Sequence, residues 1–351
     1  MFNIALGIYA QGIVTTAVSG RPWCFSGIDF REMMTTRVRD PEYAPSPLTS
    51  DASRFQLVQS SVSSSFGTIV ARSRRTGRSR RATVFLHGAA GSWTTWTPLL
   101  DAAEAASISI ANPVLLDLPG WGDGILTAEG EDHPIDAICS LVRASVEALG
   151  YTEWDLVGHS MGGFLALHMA AIWPECVLSV ATVSATSWSV IDATQHPVRH
   201  FWRLPGFVLL WRVMQALSHL GPFGANTARG LDAIHVLRAL VSPLFRHPGR
   251  IPRSVIAALG REVRPRSFAA AVRLARGYDA SARWRVIDCP VRAVQGDRDV
   301  FSRVSDLERL GDVLPGSHRE TLADCGHFAN IERPRDVLVA FGYSTGASRK
   351  R

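Results

Sequence analysis

The sequence predicts an α/β fold in which a mostly parallel, doubly wound sheet is interrupted by a helical insertion. Three observations carry this expectation. Short continuous apolar runs, of the length a strand buried on both faces needs, recur along most of the chain. Helix-length segments separate them, which is the alternation of a parallel sheet with crossover helices. One interval, from 187 to 285, loses that rhythm and holds helix-like stretches only. With 351 residues, 46% of them hydrophobic and 19% charged, the chain can bury a large core. One domain with an insertion accounts for that length better than two domains.

Taken in order, residues 1–50 show weak periodicity and leave through a proline-rich stretch (Pro41, Pro45, Pro47), so they read as an N-terminal extension, poorly ordered in part. Residues 55–62 and 68–72 read as two strands joined by serine-rich sequence. The buried strands then fall at 83–86, 113–116, 154–157, 178–183, 291–295 and 319–322. Crossover helices are expected at 99–106, 135–149 and 161–173. The core is therefore 51–186 together with 286–345, and 187–285 forms a helical cap. Within the cap, 207–217 and 233–240 look helical, punctuated by Pro205-Gly206, Gly221-Pro222 and Pro248-Gly249.

The net charge of +6 is almost wholly arginine, since Lys350 is the only lysine. The densest basic run, from Arg72 to Arg81, has no interleaved aromatic residues and reads as a solvated hairpin turn, not as a nucleic-acid surface. The five cysteines, Cys24, Cys139, Cys176, Cys289 and Cys325, are far apart and form no metal or disulfide pattern, which fits a reducing cytoplasm. The first twenty residues are uncharged and fairly apolar but lack the basic start of a signal peptide; export or membrane association through them is the lesser alternative.

The strongest local signal is Gly158-His159-Ser160-Met161-Gly162, which follows a strand and opens a helix. This G-x-S-x-G pattern places Ser160 on a sharp turn at a helix N-terminus, where free N–H groups favour developing negative charge. Upstream, the strand 83–86 runs into His87-Gly88-Ala89-Ala90-Gly91, whose small residues let a backbone N–H face a reacting carbonyl. The expected oxyanion donors are the N–H groups of Met161 and Ala89, with His87 supporting the loop. Downstream, Gly296-Asp297-Arg298-Asp299 offers two acids; Asp299 is preferred and Asp297 taken as a turn residue. After the last strand, Gly326 presents His327 as general base, with Asp324 an alternative acid close by and Cys325 an inert buried thiol. The chain order Ser160, Asp299, His327 is that of one particular serine-nucleophile fold.

From about Phe55 to Phe341 the sequence resembles the α/β-hydrolase superfamily. Asp117-Leu118-Pro119-Gly120-Trp121-Gly122 looks like the loop after the family's fourth strand, and Trp173-Pro174-Glu175 like the end of its nucleophile helix. The resemblance implies the α/β-hydrolase fold, a cap acting as a lid, and a serine enzyme. Aspartate at the elbow would be expected of haloalkane dehalogenases and epoxide hydrolases. The expected activity is hydrolysis of a carboxylic ester or lactone with a hydrophobic portion, through an acyl-enzyme on Ser160, His327 and Asp299. A C–C bond hydrolase, a cofactor-free haloperoxidase or perhydrolase, or an acyltransferase would use the same machinery, and a non-catalytic binding protein of this fold is the remote alternative. The cap aromatics Trp188, Phe201, Trp202, Phe207, Trp211 and Phe223 are expected mainly to pack the cap; Trp188 and Trp211, with His159, are candidates for the substrate pocket. A small-molecule substrate, no cofactor, no metal, no nucleic acid and no stable membrane insertion complete the expectation; the oligomeric state is not legible.

Overall fold

A computed structural model describes residues 42–127, 135–220 and 241–343. The expected cap helix at 233–240, Gly221-Pro222, Phe223, Cys24 and residues 1–41 lie outside them.

Among the described residues one nine-stranded sheet runs in the order β1-β2-β4-β3-β6-β7-β8-β9, with β5 beside β2. These are β1 (Val58–Ser63), β2 (Gly67–Ser73), β3 (Arg81–Leu86), β4 (Pro113–Asp117), β5 (Ile125–Leu126), β6 (Glu153–His159), β7 (Val177–Val183), β8 (Val291–Gly296) and β9 (His318–Leu322). The first two connections across the sheet, β1 to β2 and β2 to β4, are antiparallel; from β4 through β9 every pairing is parallel. This is the α/β-hydrolase fold expected from the sequence. The central strands are largely apolar because helices cover both faces. β4 is buried at every position, whereas β1, an edge strand rich in serine, is almost wholly exposed.

The core helices are α1 (Thr97–Ala105), α2 (Ile135–Ala148) and α3 (Met161–Ile172). Helix α3 is buried from Met161 to Ala170 without a polar face, as a helix enclosed on all sides must be. The cap begins with α4 (Trp188–Gln195), α5 (Pro197–His200) and α6 (Pro205–His219), then resumes with α7 (Arg253–Arg261), α8 (Pro265–Ala275) and α9 (Ala280–Trp284). The chain re-enters the core at β8, followed by α10 (Val304–Val313), β9, α11 (Ala329–Glu332) and α12 (Pro334–Ala340). The cap is tied to the loop after β4: Arg264 donates to the carbonyls of Gly120 and Gly122, Ser267 to that of Gly120, and the Gly122 N–H donates to Glu262 at 2.8 Å.

Two expectations need correction. The basic run is not a hairpin turn, because β2 and β3 are not neighbours; β4 lies between them. Its first member, Arg72, is buried, stacks over Trp93 and pairs with Asp117 at 2.7 Å and with Asp123. A guanidinium can be buried there because two carboxylates meet its fork. Nor does everything before residue 51 stand apart from the core. Tyr43 and Leu48 are buried against Phe245, Ile251, Val255, Phe328 and Ile331, so the chain is seated on the body from Tyr43.

No helix among the described residues is long and apolar enough to cross a membrane.

Candidate active site

The turn from β6 into α3 holds Ser160 at φ +51°, ψ −116°, a conformation a non-glycine residue reaches only under constraint. Backbone bonds on both sides enforce it: the Ser160 N–H donates to Val183 O at 2.9 Å, and the Ser160 carbonyl accepts from Phe164 N and Thr186 N. The flanking glycines are there for space. A Cβ on Gly158 would run into the backbone of Gly162 and Gly163, and one on Gly162 into the carbonyls of Leu86 and His87. Side chains are thereby excluded from around the one hydroxyl. Because Met161 opens α3, its N–H has no carbonyl one helical turn behind it and is free to face the site.

The loop after β9 brings in His327. Its Nδ1–H donates to Asp299 Oδ1 at 2.9 Å and lies 3.0 Å from Oδ2. That bond assigns the tautomer and leaves Nε2 as the ring's proton acceptor. Asp299 also accepts the N–H groups of Phe301 at 2.8 Å and Ser302 at 3.0 Å, and its carboxyl is sealed from solvent. Burial by itself would raise this carboxyl, but the His327 charge and these four hydrogen-bond contacts outweigh it and hold it below the usual carboxylate range. The competing acids are elsewhere. Asp297 accepts from Cys325 N, as a turn residue does, and Asp324 faces outward to Arg246, His247 and Arg333.

One cavity is lined by Ser160 and His327 together, with Ala89 and Met161 on its rim. The rest of its wall is mainly apolar, drawn from the core (Phe164, Phe301, Phe328) and the cap (Phe207, Leu259, Phe268). Among the described residues no lysine, arginine or carboxylate lines it. No group of three His, Cys, Asp or Glu able to hold a metal occurs among them either.

The pocket candidates read from sequence do not line this cavity. His159 lies behind it, because side chains alternate along β6 and Ser160 takes the exposed place. The His159 Nε2–H donates to the His327 carbonyl at 3.0 Å, and burial pushes the imidazole down to about 3. Trp188 packs on Trp284 within the core and donates to Ser281 Oγ. Trp211 stacks on Phe207 and under Arg212. His87 is fully buried; its Nδ1–H donates to Gly88 O and its Nε2 accepts from Leu118 N, which braces the Ala89 loop. Burial pushes the Cys325 thiol up.

Sequence reasoning missed Glu332. Its carboxyl is completely buried and accepts from Tyr43 Oη at 2.6 Å, Arg246 N at 2.9 Å and Gly326 N at 3.0 Å. One carboxylate thus joins the N-terminal segment, the returning cap and the residue before His327. The only signal in the sequence was an acid on an apolar helical stretch, five positions after the histidine.

Comparison with known proteins places this geometry in a family context. An alpha/beta hydrolase family model matches residues 83–341. Bifunctional epoxide hydrolase 2 of Mus musculus is 22% identical over 275 residues, 72% of this chain and 49% of that protein. A 2-hydroxy-6-oxononadienedioate/2-hydroxy-6-oxononatrienedioate hydrolase of Klebsiella pneumoniae is 25% identical over 263 residues, 73% of this chain and 84% of its own. The chain spans about half the length of the first of these relatives or less. Among solved structures, a thermophilic esterase from Thermogutta terrifontis superposes with a TM-score of 0.60 at 18% identity, covering 82% of this chain and 97% of that one.

Proposed function

The chain belongs to the alpha/beta hydrolase family, and from that premise we propose that it is a hydrolase that cleaves a carboxylic ester or lactone with a hydrophobic portion, using Ser160 as nucleophile. The observation that carries this reading is the oriented His327–Asp299 pair on the same apolar cavity as the Ser160 hydroxyl.

His327 Nε2 takes the Ser160 proton as the oxygen attacks the ester carbonyl. The N–H groups of Met161 and Ala89 receive the oxyanion, each worth about 3 kcal/mol of barrier. Asp299 keeps Nδ1 protonated and stabilises the imidazolium. As the tetrahedral intermediate collapses, the imidazolium hands its proton to the leaving alkoxide. Water, deprotonated by His327, then releases the acid and restores Ser160. Among the relatives, the epoxide hydrolases are disfavoured as guides to activity, since the elbow here carries serine. The dienedioate hydrolases suggest C–C cleavage as a second reading, and they match over most of their length. A dicarboxylate in this cavity would meet no cationic side chain among the described residues, so burying it would carry a large desolvation cost.

Turnover of short- and long-chain p-nitrophenyl esters, measured beside a dienoic ring-cleavage product, separates the two. Ester turnover at least about a hundredfold above that of the dienoate is expected; the reverse order would replace the ester reading with the C–C one.

A further inference from the structure

The cap helix α6 is apolar on two sides, and only one of them is covered by the described residues. Its inner face, with Phe207, Val208 and Met214, is buried against the cap and core. Leu209, Val213, Ala216 and Leu220 recur at intervals of four, three and four residues, and so form a second stripe along the opposite side. That stripe is exposed: Leu209 is 60% and Leu220 59% accessible, and Trp202, just before the helix, is 85% accessible.

Charge decides what such a stripe would meet. From residue 193 to residue 231 the sequence contains no aspartate or glutamate. Arg199, Arg203 and Arg212 are exposed around the stripe, and among the described residues none of the three meets a carboxylate. An apolar strip with indole at one end and, among the described residues, guanidinium groups that meet no carboxylate at its flanks is the composition that settles into the boundary between acyl chains and anionic headgroups.

The stripe is also connected to the chemistry. A groove runs under it, lined by Leu209, Val213, Pro243 and Leu244, and shares Leu210, Leu244, Phe301 and Ser302 with the cavity that holds Ser160 and His327. Arg203, Asp297, Asp299 and Arg303 also line that groove, so an acyl chain entering along α6 would follow its apolar side, Leu209, Leu210, Val213, Leu244 and Phe301, towards the candidate nucleophile.

We infer that α6, with Trp202 and its flanking arginines, docks peripherally on an anionic lipid bilayer, and that the groove beneath it admits a lipid ester from that surface. This rests on the proposed ester hydrolysis for its second half only; docking stands without it.

The test uses the full chain, vesicles of phosphatidylglycerol mixed with phosphatidylcholine, vesicles of phosphatidylcholine alone, and the double variant Trp202→Glu/Leu220→Glu. Neither substituted residue lines the cavity or the groove. Wild type is expected to co-sediment with the anionic vesicles and more weakly with the neutral ones. The double variant should lose about tenfold or more in vesicle binding and should hydrolyse a long-chain ester carried in the vesicles correspondingly more slowly. Its hydrolysis of a soluble short-chain ester should stay unchanged. Ser160→Ala should bind vesicles like wild type, so that docking is scored even where no ester is turned over. Failure of wild type to bind either vesicle overturns the inference. So does a double variant that binds and turns over vesicle ester like wild type, or a stripe found by sedimentation to be buried between two copies of the chain.

Discussion

The loop that carries His327 and the cap helix α6 both border the same cavity, and they are built in opposite ways. The loop is held by buried polar bonds: His327 N to Leu244 O, Gly326 N to Glu332, and Nδ1 to Asp299. Helix α6 is held by apolar packing on one face and leaves the other exposed. Buried hydrogen bonds are directional and specify one geometry, whereas apolar contact tolerates sliding and substitution. Under the proposed function the loop carries the chemistry and the cap the choice of substrate, and substitutions on the two sides should separate accordingly.

The largest effects belong to the loop side. His327→Ala should lower kcat by roughly a million-fold and Asp299→Asn by about ten-thousand-fold, with thermal unfolding of His327→Ala close to wild type. Asp297→Asn should stay within about threefold, because its carboxylate caps a turn and does not reach His327. Steady-state kinetics on a soluble ester compares all three, and an Asp297 variant more damaged than the Asp299 one would reassign the acid.

Glu332→Gln comes next. It keeps the volume but replaces a carboxylate that accepts from Tyr43, Arg246 and Gly326 with an amide. A loss of about 1–3 kcal/mol in denaturant unfolding is expected, with kcat lowered about tenfold and KM for a short ester nearly constant. A fall in KM-side parameters alone would place Glu332 with the cap and not with the loop.

Acid should also act through the loop. An unfolded His159 takes up a proton below its ordinary value near 6.5, but the folded ring refuses it until about 3. The unfolded state therefore binds more protons across that window, and stability falls as the pH drops through it, by up to about 1.4 kcal/mol per unit. Urea titrations from pH 7 to pH 4 measure the slope, and His159→Gln should flatten it.

The cap should give the smallest effect on chemistry and the clearest one on selection. Val272→Phe adds bulk to the apolar wall. It should lower kcat/KM for long-chain esters about tenfold while leaving a short one within about twofold. Equal losses for both chain lengths would mean that the cap also positions the reacting atoms.

The comparison also explains what could be read from sequence. Parallel strands buried on both faces carry an unbroken apolar signature, so 113–116 and 291–295 stand out, and the crowding at Ser160 demands glycines that are visible as letters. The pocket was less legible. Trp188 and Trp211 are aromatic and lie in the cap, but whether an aromatic ring faces a cavity or a neighbouring ring depends on helix rotation, which composition does not encode. Tyr43 and Glu332 were hidden for a related reason. Their meeting joins positions 289 apart in sequence, and no local pattern announces such a contact. Arg72 shares a basic run with Arg74 to Arg81, but it lies inside β2 while the others follow the strand's end, a boundary that the run of like residues hides.

The central claim is that the hydroxyl of Ser160 is the group that attacks. Intact-mass analysis after reaction with a fluorophosphonate, followed by peptide mapping, tests it most directly. One adduct per chain on the peptide containing Ser160 is the expected result, absent from Ser160→Ala and formed far more slowly in His327→Ala. Folded wild type that stays unmodified, or an adduct that survives in Ser160→Ala, would contradict it.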